Sequence, residues 1–278
     1  MMRPDTSLAT LGLVLGLALA GSCAAPASDP VRVRVLTYNI HHGEGTDGVT
    51  DLERLARVIR AADPDLVALQ EVDEGTARAF GALQAHELGR LTGMEALFAE
   101  AMPYDGGSYG EGILTRFPIV SSESCVLPAS EGHESRAALV VHVRPPGTDR
   151  GFLFIGTHLD HTHDAADRIA QTRALRDRLG NEDTLLSILA GDMNAQPGST
   201  PIAVLESEWT RVHSAPTFPS SGAVDAIDHV FVRPANRWRV IEVRVIDEPI
   251  ASDHLPLLVV LEWLPENYDA PPSGNEGG

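Results

Sequence analysis

Nine short segments rich in β-branched and aliphatic residues recur through this chain, at 31–40, 65–72, 112–115, 137–143, 152–158, 186–190, 227–232, 240–246 and 257–263. Some alternate apolar and polar residues and others are continuously apolar, as in strands buried on one face or on both. Only three stretches of helical period interrupt them: 50–62, where Leu52, Leu55, Ala56 and Ile59 share a face, then 77–92 and 165–179. Thr50 with Glu53 reads as a capping box, and Pro64 closes that helix from beyond its end. Because strands and helices are interspersed, the expected class is an α/β sandwich of two sheets. A composition 43% hydrophobic and 22% charged supplies one sizeable core, so residues 31–264 are expected to form one domain and the chain a monomer.

The two ends read differently. Arg3 precedes an apolar run at 8–20 that is too short to span a bilayer, and small residues follow, so residues 1–24 are expected to be a secretory leader. Leu19-Ala20-Gly21-Ser22-Cys23 resembles a lipoprotein cleavage site that would leave Cys23 acylated; an Ala-x-Ala-type site nearby is the alternative. The expected location is extracytoplasmic, whether periplasmic, extracellular or membrane-anchored through Cys23. Residues 25–30 form a linker, and the Pro/Gly/Asn/Glu-rich residues 265–278 cannot bury a core. With the leader removed Cys125 stands alone, so no intramolecular disulfide is expected.

The net charge of −18, with no Lys- or Arg-rich block, weighs against a polyanionic partner, because clustered cations supply most non-specific affinity for nucleic acid.

Residues suited to phosphate and metal chemistry sit at the strand ends: Asn39, Glu71, His158, Asp192 with Asn194, Asp228, and Asp253 with His254. Loops at strand ends can converge on one ligand. A hard cation uses one or two carboxylates, which suits Glu71, with Asn39 as a neutral carbonyl donor. Asp228 could fix the tautomer of His254 for donation to a phosphate oxygen, Asp192 could orient or deprotonate a water, and Asn194 could hold that water or the phosphate.

Seven strings follow one another in order: Leu36-Thr-Tyr-Asn-Ile-His-His-Gly43, Leu69-Gln-Glu-Val72, Tyr109-Gly-Glu-Gly-Ile-Leu-Thr-Arg-Phe-Pro-Ile119, Gly156-Thr-His-Leu-Asp160, Gly191-Asp-Met-Asn194, Ile227-Asp-His-Val-Phe231 and Ser252-Asp-His-Leu-Pro256. Together they resemble the endonuclease/exonuclease/phosphatase superfamily over about residues 31–264. The resemblance implies a four-layer α/β sandwich of the DNase I type, two mixed sheets face to face with helices outside, and a requirement for Mg²⁺ or Mn²⁺. It implies that Asn39 and Glu71 bind metal, and that Asp253 supports the metal or His254. Asp192 and Asn194 would position nucleophile and phosphate, and His158 and His254, the latter paired with Asp228, would stabilise the transferring group or protonate the leaving oxygen. Arg136 stands where relatives carry an arginine that meets the phosphate. Glu111 departs from the pattern by replacing an Asn, and would add a metal ligand or repel a substrate phosphate. Either His41 or His42 would line the cleft, while His161 and His163 would face solvent or the rim and Asp164 would cap the next helix.

The expected activity is phosphoester hydrolysis by a water nucleophile. The acidic charge favours a small-molecule or lipid-headgroup phosphoester over nucleic acid; a secreted nuclease is the alternative. Two distant readings are a noncatalytic binding module and a serine esterase, the latter from Gly106-Gly-Ser-Tyr-Gly110, whose setting is not the strand–turn–helix that an elbow needs.

Overall fold

The computed structural model describes residues 30–179, 186–213 and 215–264. The expected leader with Cys23, all but residue 30 of the linker, and the tail lie outside the described residues. The strands are β1 (Val31–Asn39), β2 (Leu66–Glu74), β3 (Glu95–Tyr104), β4 (Gly107–Thr115), β5 (Ile119–Leu127), β6 (Arg136–Val143), β7 (Phe152–His158), β8 (Ser187–Asp192), β9 (Thr210–Arg211), β10 (Asp228–Arg233), β11 (Trp238–Val245) and β12 (Leu257–Trp263). The helices are α1 (Leu52–Ala62), α2 (Gln84–Thr92), α3 (Ala166–Leu179) and α4 (Thr200–Glu206). One sheet runs β11-β12-β1-β2-β4-β3 and the other β5-β6-β7-β8-β10-β9. The pairs β1–β2 and β7–β8 are parallel and their neighbours antiparallel, so both sheets are mixed.

Three apolar layers hold the sandwich. Val33, Val35, Ala68 and Ile113 of the first sheet meet Leu139, Val141, Phe154 and Ile188 of the second between the sheets. Leu36, Leu69 and Leu258 pack outward with Leu55 and Ile59 of α1 and Leu88 of α2. On the opposite outer face Ile155, Leu189 and Phe231 meet Leu175 of α3 and Ile202 of α4. Alternation along each strand therefore feeds an inner and an outer layer, giving the order helix, sheet, sheet, helix. At the end remote from His158, Phe152 is fully buried with its ring edge-on to Phe117, Trp238 and Trp263. Phe152→Ala is expected to cost about 3–5 kcal/mol of stability, the usual cost of emptying such a site, with activity per folded molecule unchanged. Urea unfolding beside active-site titration checks both.

Local corrections have physical causes. Thr50 does not cap α1: Asp51 does, accepting from the Arg54 N–H at 2.9 Å, while Thr50 bridges to Glu44. The helix expected over 77–92 begins only at Gln84. Its first part turns instead, because the buried Asp73 carboxylate draws in the Thr76 hydroxyl and the Arg78 guanidinium at 2.6–2.8 Å. The unanticipated β3 and β5 are edge strands, β5 largely exposed and serine-rich, so neither carries a strong apolar alternation. Asp164 does accept from the Ala166 N–H at the start of α3.

The topology also explains why one edge collects the polar residues. The parallel strands β1, β2, β7 and β8 arrive there with their C-terminal ends, and the antiparallel β4, β6 and β10 leave from it. His158 and Asp228 are both register partners of Asp192, one on each side.

Candidate active site

A cleft of about 360 Å³ opens at this edge, lined by His41, His42, Glu71, Arg78, Tyr104, Tyr109, Arg136, His158, Asp192, Asn194, Phe218, Asp253 and His254 among others. A larger depression of about 500 Å³ lies against β5, β6 and β7, but its charged lining is chiefly the paired Arg178 and Glu123. Convergent titratable groups, rather than size, single out the smaller cleft.

Asp192 is the centre of its floor. Gly191 before it allows the close strand approach, since a Cβ there would lie 1.9 Å from the Thr157 carbonyl oxygen. Asp192 Oδ1 accepts from the Asn194 N–H at 2.8 Å, and Oδ2 accepts from Asn39 Nδ2 at 3.2 Å. Oδ2 also lies 3.5 Å from His158 Nε2 and 3.7 Å from His254 Nε2. Burial, then the Asp228 charge, push its carboxyl well above the usual carboxylate range, against the opposing pull of His254.

The two histidines are tuned oppositely. Burial lowers His254, but Asp228, 2.8 Å from Nδ1, outweighs it with help from Asp192 and Asp253, raising the imidazole to about 10. Thr217 Oγ1 donates to the same Asp228 oxygen at 2.6 Å, and the Phe218 ring lies 4.7 Å from the His254 ring. His254 is thus a cation at neutral pH. Burial and then the Arg136 guanidinium drive His158 far below the usual imidazole range, so that ring is neutral. Arg136 Nη1 lies 3.3 Å from its Nδ1, and the Asn194 amide 2.9 Å from its Nε2. A neutral imidazole accepts at only one of its nitrogens, so His158 receives a hydrogen bond from either Arg136 or Asn194 and carries no charge.

Arg136 is 1% exposed and also reaches the Tyr109 hydroxyl, His161 Nδ1 and the Glu134 carboxylate. His161 is accordingly a rim residue.

A β-bulge delivers Glu71. Leu69 and Val72 both face the helices although three residues apart, because Gln70 and Glu71 together oppose only Glu111 on β4, and Glu71 takes φ +58°. Burial pushes its carboxyl up, but His42 and the Asn39 amide hold it well below the ordinary range, so it is ionised. Asn39 donates to Glu71 at 3.0 Å, while its own carbonyl oxygen accepts from the His41 N–H at 3.0 Å. Asp253 lines the cleft beside His254.

The structure thus gathers Glu71, Arg136, His158, Asp192, Asn194, Asp253 and His254 at one cleft, with Asn39 buried against Glu71 and Asp192 and Asp228 directly behind His254. Glu111 is placed otherwise: it is fully buried, absent from the cleft lining, and neither carboxylate oxygen has a hydrogen-bond partner. Burial pushes it well above the usual range. A buried carboxyl with a raised folded-state pKa weakens the fold increasingly as pH climbs through and beyond the unfolded-state value. Glu111→Gln is therefore expected to stabilise the protein by about 1–3 kcal/mol at pH 8 and by much less at pH 4, which thermal melts at both pH values would show.

Arg78, Met102, Tyr104, Phe218 and Glu134 also line the cleft and were not anticipated. They come from loops and an edge strand without a short motif, and Arg78 reaches Tyr104 only through the fold, its guanidinium 4.4 Å from the ring centroid. Ser108 sits within β4 and donates to Glu100, so the esterase elbow is absent.

The model of the Endonuclease/Exonuclease/phosphatase family matches residues 36–254, which contain every one of these cleft residues. The chain belongs to this family. Its two mixed six-stranded sheets and four helices match the DNase I-like sandwich. An endonuclease/exonuclease/phosphatase from Beutenbergia cavernae is similar at 27% identity and TM-score 0.68, covering 84% of this chain and 72% of that one. A mannosyl-6-phosphatase from Bacteroides thetaiotaomicron shares 20% identity over 82% of this chain and 99% of its own, with TM-score 0.69. The human Nocturnin catalytic domain with bound sulfate shares 20% over 87% and 100%, with TM-score 0.68.

Proposed function

We propose that this chain is a divalent-metal-dependent phosphoesterase acting outside the cytoplasm on a small-molecule or lipid-headgroup phosphoester, by in-line attack of water on phosphorus. The observation that carries this reading is Asp192, a carboxylate of raised pKa between a cationic and a neutral imidazole, beside the ionised Glu71. Such a pair of groups with environments that push their pKa values apart assigns base and acid.

Asp192 Oδ2 takes the proton of the attacking water, and the Asn194 amide and the Asp192 position fix its approach. The Nε2–H of His254 offsets charge on the phosphoryl oxygens or supplies the proton to the leaving oxygen, and Arg136 presents its guanidinium to the phosphate. Glu71, bonded by Asn39 and sharing the cleft with Asp253, fits a divalent cation, because it stays ionised at the cleft while a neighbouring imidazole nitrogen, His42 Nδ1, is buried without a hydrogen-bond partner. When bound, Mg²⁺ or Mn²⁺ would polarise a phosphoryl oxygen and acidify water. The charge of −18 and a rim carrying Glu134 and Asp253 support a compact phosphoester rather than a nucleic-acid strand. The leader-like residues 1–24 and Cys23 support export and membrane attachment.

The test is turnover of p-nitrophenyl phosphate, bis(p-nitrophenyl) phosphate and single-stranded DNA with Mg²⁺, Mn²⁺ or EDTA. EDTA-sensitive hydrolysis of either small ester is expected; hydrolysis of DNA alone would replace the substrate assignment, and no turnover by folded protein with any metal would overturn the reading.

A further inference from the structure

We propose that His41 and His42 are imidazole donors to the cation at Glu71, so that this centre takes a first-row transition-metal ion in preference to Mg²⁺. The inference rests on the metal-dependent reading above and names the class of ion.

The backbone is arranged for it. Immediately beyond β1, His41 and His42 have φ of +45° and +44°, and Glu71 beside them has +58°. Three side-chain-bearing residues in the left-handed region at one spot are strained, and such strain persists only where surroundings over-determine the conformation. Those surroundings are visible: Asn39 Oδ1 holds the His41 N–H, and the buried Gln84 donates to the His42 carbonyl at 2.7 Å. The outcome is two adjacent imidazoles, centroids 4.3 Å apart, both lining the cleft. One donor atom from each of His41, His42 and Glu71 lies within 4.8 Å of the others.

The His41 ring is held as metal-binding histidines require, with its far nitrogen on an oxygen acceptor, and the far nitrogen of His42 faces a carboxylate. His41 Nδ1 lies 3.1 Å from the Glu44 carbonyl, which can only accept, so Nε2 carries the free lone pair. His42 Nε2 lies 3.7 Å from the Glu44 carboxylate. Its Nδ1 is buried, has no hydrogen-bond partner, and faces Glu71 Oε2 at 4.0 Å. That separation is beyond a hydrogen bond and somewhat wider than the roughly 3.4 Å between two tetrahedral donors at about 2.1 Å from a cation, so the two side chains would close slightly on a bound ion. Glu44 thus bonds the His41 ring through its carbonyl and keeps its carboxylate near the His42 ring.

Two imidazoles and one carboxylate open to a cleft form a donor set suited to Zn²⁺, Co²⁺ or Fe²⁺, whereas Mg²⁺ takes oxygen ligands and keeps its waters. The rival arrangement is a protonated His42 bridging Glu44 and Glu71 as an ion pair, which would exclude His42 from the metal.

The experiment is calorimetric titration of the metal-stripped protein with Co²⁺ and with Mg²⁺, beside proton NMR of the Co²⁺-loaded protein. Co²⁺ is expected to bind at least about a hundredfold more tightly than Mg²⁺, with two exchangeable, strongly shifted imidazole N–H signals. His41→Gln and His42→Gln should each remove one signal and weaken Co²⁺ at least about tenfold, leaving Mg²⁺ affinity within about twofold; Glu44→Gln should weaken Co²⁺ similarly. Absence of shifted imidazole signals from the unaltered protein, which needs no variant to fold, or unchanged Co²⁺ affinity in the double histidine variant, would overturn the inference. Imidazole-coupled Co²⁺ in a protein that hydrolyses no phosphoester would overturn the functional reading and leave this one standing; hydrolysis supported by Mg²⁺ without imidazole signals would do the reverse.

Discussion

Asp192→Asn is expected to lower kcat by about a thousandfold, within the range that positioned general bases supply, with a smaller change in KM. The loss should come without a loss of stability. Ionised Asp192 is held in the floor against burial and against Asp228, which is why its carboxyl lies above the usual range. A folded-state value above the unfolded one means that ionisation opposes folding at every pH above the unfolded pKa, and a neutral amide removes that opposition. The variant should therefore unfold at or above the temperature of the unaltered protein at pH 8. Single-turnover kinetics and a thermal melt on the same preparation decide the matter: a variant of normal stability and near-normal kcat would remove Asp192 from the chemistry. In the unaltered protein the same carboxyl sets the acid limb of the kcat profile, which is expected above the ordinary carboxylate range.

The division between what the sequence made legible and what it concealed follows the physics of each residue. Asn39, His158 and Asp192 close strands, and His254 precedes one, whose apolar runs announce themselves, so placing them at one edge needed only the rule that strand ends share a side. The sandwich was legible for the same reason, since the strands of both sheets that feed the inner layer are the most apolar. What escaped depends on interactions across the fold. Arg78 read as helical because its local pattern allows a helix, yet the buried Asp73 five residues earlier captures it and breaks the pattern. Glu111 reads as a cleft residue because its string belongs to the site, but its side chain is fully buried outside the cleft lining, with no hydrogen-bond partner. The inward turn of Glu71 depends on a bulge that no residue type marks, since glutamate at positive φ is not a sequence signal. Asn39 is a subtler case: its donor nitrogen, not its carbonyl, is the group directed at Glu71 and Asp192.

His254→Ala should cost about a hundred- to a thousandfold in kcat, as loss of a charged donor to a developing oxyanion typically does, and it should abolish the alkaline limb of the pH profile. The position of that limb follows from the carboxylates around the ring. Burial alone would lower the imidazole; Asp228 reverses this, so His254 stays protonated until pH approaches about 10. Asp228→Asn keeps a group able to accept from Nδ1 but removes the charge, leaving burial to dominate. The limb should then fall into the neutral range, narrowing the window in which Asp192 is ionised while His254 is protonated. Stability should shift with the same sign: the Asp228–His254 interaction contributes fully below the ordinary imidazole range and is lost as pH rises towards about 10, so Asp228→Asn should be most destabilising in mildly acidic solution. Because both substitutions act on one imidazole, the double variant should be no slower than His254→Ala alone. Additive losses, or an alkaline limb unmoved in Asp228→Asn, would separate the two residues and assign the proton near the leaving oxygen to another group.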